Sequence, residues 1–245
     1  MTETWIILGA TSSMARAFAR AVSKNGDQVI LAGRDIPDLE ASASDCALQG
    51  APIAEAIQFD AREAATFAPI IERASELEGM INVAVFVGSM PSQDQIDTDP
   101  SLIAGTVTDN YAGPATFLQL VASTMEERGG GTVVGVGSVA GDRGRIGNYV
   151  YGSAKAGFHT YLSGLRNRLT RSGGHVVTVK PGFVDTAMTW GIEGMFLVAT
   201  PDKIAADILK AVEKRKDVIY TPGFWRLIMG IITAIPERVF KKLSV

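Results

Sequence analysis

Apolar positions along the chain alternate between two periods. Trp5 to Leu8 is an unbroken apolar run. After the turn GATSS come Met14, Ala17, Phe18, Ala21 and Val22, at spacings of three and four. The run predicts a buried strand, and the spaced set predicts one face of a helix. The alternation then repeats. Gln28–Ala32, Ile53–Phe59, Met80–Val87, Thr132–Val136, His175–Lys180 and Val218–Tyr220 read as strands, while 35–49, 62–77, 99–128, 150–171 and 201–215 read as helices. Strands that are apolar throughout must be covered on both faces, and strands separated by helices pair in parallel. With right-handed crossovers, about seven such strands predict an α/β, doubly wound parallel sheet of the Rossmann type.

The length of 245 residues and the 47% hydrophobic content suit one large core. No Pro/Gly/Ser-rich linker or charge block divides the chain. The expectation is a single domain over 1–222 with an apolar and basic helical extension over 223–245. A net charge of −3 gives no basic footprint for nucleic acid. The lone Cys46 excludes an intramolecular disulfide and suits a reducing compartment. The N-terminus has no basic flank or long apolar core of a signal peptide, so a cytoplasmic protein is expected. His159 and His175 have no partners at metal-ligand spacing and read as ordinary helix and strand-start residues; no metal site is expected.

Gly9 falls where the first strand meets the first helix. The helix's free amides and positive end face the strand's carboxyl edge there, and Thr11, Ser12, Ser13 and Met14 line the turn, so a pyrophosphate is the expected ligand. The second strand ends in AGRD. An acid at this point would bond a ribose 2′-hydroxyl, whereas an arginine would pair with a 2′-phosphate. Arg34 therefore favours NADP(H) over NAD(H), with Asp35 next to it as the feature that fits NAD. Asp60, after the third strand, is placed to reach the adenine edge or to cap a helix.

YGSAK sets Tyr151 and Lys155 four residues apart, on one helical face. An ammonium near a phenol favours the phenolate, which predicts a proton donor or acceptor for a carbonyl/alcohol pair. Ser138, at the end of the strand Thr132–Val136, reaches the same crevice and would hold the substrate oxygen. Ser138, YGSAK thirteen residues on and the glycine turn at the first strand together resemble the short-chain dehydrogenase/reductase family over essentially the whole chain. The resemblance extends to DNYAG (109–113) and KPGFVDT (180–186). It implies a catalytic tetrad of Ser138, Tyr151, Lys155 and Asn110. In it Lys155 also binds the nicotinamide ribose, and Asn110 kinks its helix and supports a proton-relay water. It also implies that Gly88, Pro181, Gly182, Val184 and Thr186 lie against the cofactor.

Three features depart from the family pattern or extend it. The first is that only the first glycine of the usual phosphate fingerprint is present, with Ser13 and Ala15 in place of the others. The second is VFVG (85–88), which stands where the family carries an asparagine-rich turn, so Phe86 and Val87 must substitute by packing. The third is Met188, Trp190, Met195 and Phe196, which follow the PG turn as either core or an apolar lid. The tail carries Trp225, Leu227, Ile228, Ile231, Ile232 and Ile235 beside Arg226, Arg238, Lys241 and Lys242. It fits either a peripheral membrane contact or a homo-oligomer (dimer or tetramer) interface. The tail and SVAGDRGRIGNYVYGSAKAG are similar to the keto-reductase components of decaprenylphosphoryl-ribose epimerases, which implies a lipid-linked keto-sugar substrate. A reductase of a soluble ketone or alcohol, and a non-catalytic nucleotide-binding scaffold, are the open alternatives.

Overall fold

A computed structural model describes residues 3–186 and 197–243. Its strands are β1 (Thr4–Leu8), β2 (Gln28–Gly33), β3 (Ala54–Gln58), β4 (Ile81–Val85), β5 (Thr132–Val136), β6 (His175–Pro181) and β7 (Val218–Thr221). They form one seven-stranded sheet in the order β3-β2-β1-β4-β5-β6-β7, parallel throughout. The expected doubly wound α/β architecture is therefore the one present.

Side-chain alternation explains why these strands are apolar throughout. Trp5 and Ile7 face one layer while Ile6 and Leu8 face the other, and Val29 and Leu31 likewise oppose Ile30 and Ala32. The first layer is α1 (Ser13–Lys24), α2 (Ile36–Gln49) and α8 (Pro201–Glu213), bringing Phe18, Leu39 and Ile208 to the sheet. The second layer is α3 (Ala68–Glu76), α6 (Gly113–Glu127) and α7 (Tyr149–Leu169), which contribute Ile70, Phe117 and Leu162. Each fully buried side chain of this size contributes about 1.5–3 kcal/mol. β3 lies at the sheet edge and is only half covered, unlike β1 and β2.

The helices depart from expectation in three places. Helix α3 begins at Ala68 rather than near 62, because Asp60, Glu63 and Thr66 hydrogen-bond among themselves in a preceding turn. Pro69 then suits the helix's first turn, where its missing N–H leaves no bond unmade. The expected helix over 99–128 is three pieces: α5 (Leu102–Val107), a π-helical turn at Thr108–Ala112, and α6. Before it lies α4 (Gln93–Thr98), closed by a Ser92/Gln95 capping box that the apolar pattern does not register. The third departure is the tail, which forms α9 (Trp225–Ala234), breaks at Pro236 and ends in the short α10 (Glu237–Phe240).

Trp225 and Met229 are buried against Val139, Phe183 and Tyr220, so α9 is fastened to the domain by one face. Its other face leaves Leu227 71% and Ile231 61% exposed, beside an open groove of about 770 Å3 lined by Arg226, Gly230, Ala234 and Ile235. The expected single apolar face is thus divided. Ile228 and Ile232 join the inner side, and Leu227 and Ile231 the outer. Among the described residues no helix is long and apolar enough to cross a membrane.

Candidate active site

The carboxyl ends of β1, β4 and β5 carry the chemistry-bearing residues. Gly9 ends β1 with φ +75°, and a Cβ there would stand 3.0 Å from the backbone of Phe86 and Val87. Only glycine fits both the left-handed conformation and that approach. Ser12 caps α1 by accepting a bond from the Ala15 N–H at 3.2 Å, and Met14 packs on the core behind the turn. Ser13 Oγ is buried without a hydrogen-bond partner among the described residues. The Thr11 methyl faces Gly33 across the turn, and the Thr11 carbonyl accepts from Arg16.

Arg34 is exposed just past β2. Asp35 is committed to the cap of α2, where its carboxylate accepts the Asp38 N–H at 3.2 Å, and Asp38 pairs with Arg16. Asp60 takes the Arg62 N–H at 2.9 Å on one carboxylate oxygen, closing a local turn at the end of β3.

Under β4, VFVG is accommodated by packing. Phe86 lies against Phe18 at 5.6 Å between ring centroids, and Val87 joins the opposite core layer. A Cβ on Gly88 would lie 2.6 Å from Asn110 Oδ1 and 3.4 Å from Lys155 Nζ, so the glycine makes room for both. Asn110 sits in the π-helical turn. Its amide donates to the carbonyls of Ser89 (2.6 Å) and Thr106 (2.9 Å), and its buried Oδ1 has no partner among the described residues. The turn is anchored by Asp109, which takes two bonds from Arg62 (2.8 and 2.7 Å) and one from Ser89 Oγ (2.7 Å). One extra residue in a helical turn displaces the ladder and leaves carbonyls for side chains such as Asn110 to bond.

Helix α7 starts at Tyr149, so Tyr151 and Lys155 share its inward face, both buried. Lys155 Nζ donates to the carbonyls of Val136 at 3.2 Å and Val87 at 3.5 Å, and burial brings its pKa down to about 8. It lies 5.8 Å from the centre of the Tyr151 ring. The expectation that this ammonium would favour the phenolate needs correction. Burial pushes the phenol up to about 12, while a Ser138 hydroxyl contact and the charge of Arg145 oppose the shift. Desolvation outweighs the nearby charges, so Tyr151 stands as a protonated phenol, suited to giving a proton.

Ser138 continues β5 in an extended conformation, and its Oγ accepts the Ala140 N–H at 3.1 Å. Beyond β6, Pro181 ends the strand and Gly182 donates its N–H to the Thr221 carbonyl at 3.1 Å. The Trp225 indole occupies the space a Gly182 side chain would need. Val184 bridges to Ala199, and Thr186 ends the described segment. The lid candidates Met188, Trp190, Met195 and Phe196 lie outside the described residues.

This matches a known architecture. The family model for short chain dehydrogenases matches residues 3–195. The chain belongs to the short-chain dehydrogenase/reductase family, a family of oxidoreductases. An uncharacterised oxidoreductase of Mycobacterium tuberculosis is 31% identical over 239 residues, covering 97% of this chain and 96% of the relative. Two solved structures share the fold. A short-chain dehydrogenase of Sphingobium yanoikuyae in complex with NADPH has TM-score 0.79 and 24% identity, covering 97% of both chains. An actinorhodin polyketide ketoreductase with NADPH has TM-score 0.80 and 20% identity, covering 91% of this chain and 97% of that one.

Sequence reading took DRGR (142–145) only as part of a longer resemblance and gave its side chains no role, whereas Asp142 and Arg143 make specific bonds. Asp142 accepts bonds from Lys180 Nζ (2.6 Å) and the Tyr220 hydroxyl (2.8 Å), tying the serine loop to β6 and β7. Arg143 donates to the carbonyls of Ile232 (2.7 Å) and Ile235 (2.6 Å) at the end of α9, and stacks over the Phe240 ring at 3.7 Å. Arg145 is half-buried, and its buried Nε lacks a partner among the described residues. The available signal was a dense charged cluster between the serine and the tyrosine.

Proposed function

We propose that this chain reduces a ketone to a secondary alcohol with a nicotinamide cofactor. The observation that carries the reading is the convergence of Ser138, Tyr151, Lys155 and Asn110 at the carboxyl edge of the sheet, next to the glycine turn at Gly9. Ser138 would hold the substrate oxygen, and Tyr151 would give it the proton. Lys155 and Asn110 would recharge that proton, Lys155 through its ammonium and Asn110 through a water on its unpartnered Oδ1. The turn fits a dinucleotide. The turn from Gly9 to Ser13 would hold a pyrophosphate, Lys155 would bind a ribose, and Pro181, Gly182, Val184 and Thr186 would lie against a nicotinamide ring. When bound, that group supplies the hydride.

NADP(H) is the proposed form. Arg34 has no ion pair among the described residues, whereas Asp35, the residue that would suit NAD, is occupied in capping α2. The proposed substrate is a carbonyl compound carrying an anionic group, of which a lipid-linked keto-sugar phosphate is the leading example. Arg145, without an ion pair among the described residues and close enough to Tyr151 to bias its ionisation, supports that choice. The outer face of α9, with Phe224, Leu227 and Ile231 exposed beside Arg226, supports a lipid surface as the place of action.

A fluorescence titration with NADPH and NADH, followed by a panel of charged and neutral ketones, tests the reading. Tighter binding of NADPH, its loss in Arg34→Ala, and turnover of a phosphate-bearing ketone are expected. Binding of NADPH without turnover of any ketone would leave the nucleotide-binding scaffold, and binding of neither nucleotide would overturn the reading. Turnover of neutral ketones alone, unaffected by Arg145→Gln, would favour a reductase of soluble substrates.

A further inference from the structure

His159 lies in the middle of α7, two turns beyond Tyr151, and its ring is 10% exposed. The backbone N–H of Ser138 donates to its Nε2 at 3.3 Å. Two glycines of the run VGSVAG are shaped to this ring. A Cβ on Gly137 would lie 2.1 Å from His159 Nε2, and one on Gly141 would lie 2.7 Å from Cε1. The small residues around the serine are therefore not only turn-formers; they admit an imidazole under the loop.

An Nε2 that accepts must carry a lone pair, so the ring's proton sits on Nδ1. Nδ1 faces Asp142 Oδ1 at 3.8 Å, and the same carboxylate takes Lys180 Nζ and the Tyr220 hydroxyl. Lys180 leads directly into Pro181 and Gly182. One polar chain thus runs from the backbone of Ser138 through His159 to the carboxylate that fixes the strand before the PG turn.

We infer that His159 is a positioning residue: its neutral, Nδ1-protonated imidazole holds the backbone of Ser138 and so aims the serine hydroxyl at the substrate oxygen. The inference rests on the reductase reading for its kinetic consequence but not for its chemistry. A protonated ring would have no acceptor, and the Ser138 N–H would lose its partner. The charged groups around the ring are Asp142, which favours protonation, and Lys180 and Lys155, which oppose it. Burial, the largest influence, opposes it too and brings the pKa down to about 3, so the acceptor persists across the working pH range.

The chain has two histidines, which makes the test direct. Imidazole 15N spectra of histidine-labelled protein, assigned with a His175→Gln variant, are expected to show His159 neutral and Nδ1-protonated from pH 8 to pH 5. A ring protonated on Nε2, or titrating near its ordinary value of about 6.5, would overturn the inference whatever the protein reduces. Kinetically, His159→Phe removes the acceptor while filling the space. Its kcat should fall on the order of 10²-fold, as a misplacement of about 1 Å would produce, with NADPH affinity and thermal midpoint little changed. His159→Gln, which restores an acceptor oxygen, should recover most of the loss. Full kcat in His159→Phe, or no recovery in His159→Gln, would also overturn it. Failure of the reductase reading is distinguishable: no ketone would be consumed by the parent protein, and the 15N spectra would still decide the tautomer.

Discussion

Tyr151 and Lys155 are driven in opposite directions by one cause, burial. The phenol goes up to about 12 and the ammonium comes down to about 8. A phenol held protonated near neutrality can give its proton to a substrate oxygen. Replacing Tyr151 by Phe should lower ketone reduction by on the order of 10²–10⁴-fold, read as kcat, with NADPH still bound. Lys155 must be charged to donate to ribose hydroxyls. NADPH affinity, followed by fluorescence, should therefore weaken as pH rises through about 8, and Lys155→Met should bind weakly at every pH. His159 makes a separate statement about stability. Its folded pKa lies below the unfolded value, so at acid pH the unfolded chain takes up a proton that the folded one refuses. That contribution is intact above about pH 6.5, and thermal midpoints should decline as pH falls from there toward the folded pKa. His159→Phe should flatten that decline.

Capping and packing at element ends explain what periodicity could not. The apolar pattern located every strand but read 99–128 as one helix, because a π-helical turn keeps helical spacing on either side and differs only in hydrogen bonding. It joined 62–77 because the hydrogen-bonded turn of Asp60, Glu63 and Thr66 ahead of Ala68 leaves no mark in the apolar spacing. The tail was misread differently: its apolar residues are too many for one face, and only the positions of Val139, Phe183 and Tyr220 decide which of them turn inward. Arg143, 14% exposed, holds the end of α9 through its carbonyls. Arg143→Ala should loosen the tail at a cost of about 1.5–3 kcal/mol, the range for hydrogen bonds to a charged group. Faster amide exchange across 225–240, with β1 and β4 unaffected, would be the sign.

The whole molecule is a family scaffold with a fastened tail, and this bears on how a membrane contact can be probed. Removing the tail would bare Val139 and Gly182, so truncation confounds folding with docking. Leu227→Glu with Ile231→Glu alters only the outer face. Flotation with anionic vesicles should retain the parent chain and release this variant, whereas a parent chain that ignores vesicles removes the lipid-surface reading. The sequence by itself determined the parallel α/β sheet, since strands apolar on both sides have no other stable placement. It also determined the candidates Gly9, Ser138, Tyr151 and Lys155, because their spacing along helix and strand fixes which edge they reach, while Asn110 entered only through the family resemblance of DNYAG. Only the tertiary structure decided that Asp35 is spent on a helix cap, that Tyr151 is shifted upward, and that His159 reaches back to Ser138. Each of those depends on desolvation and on partners far away in the chain, and neither quantity is encoded in local spacing.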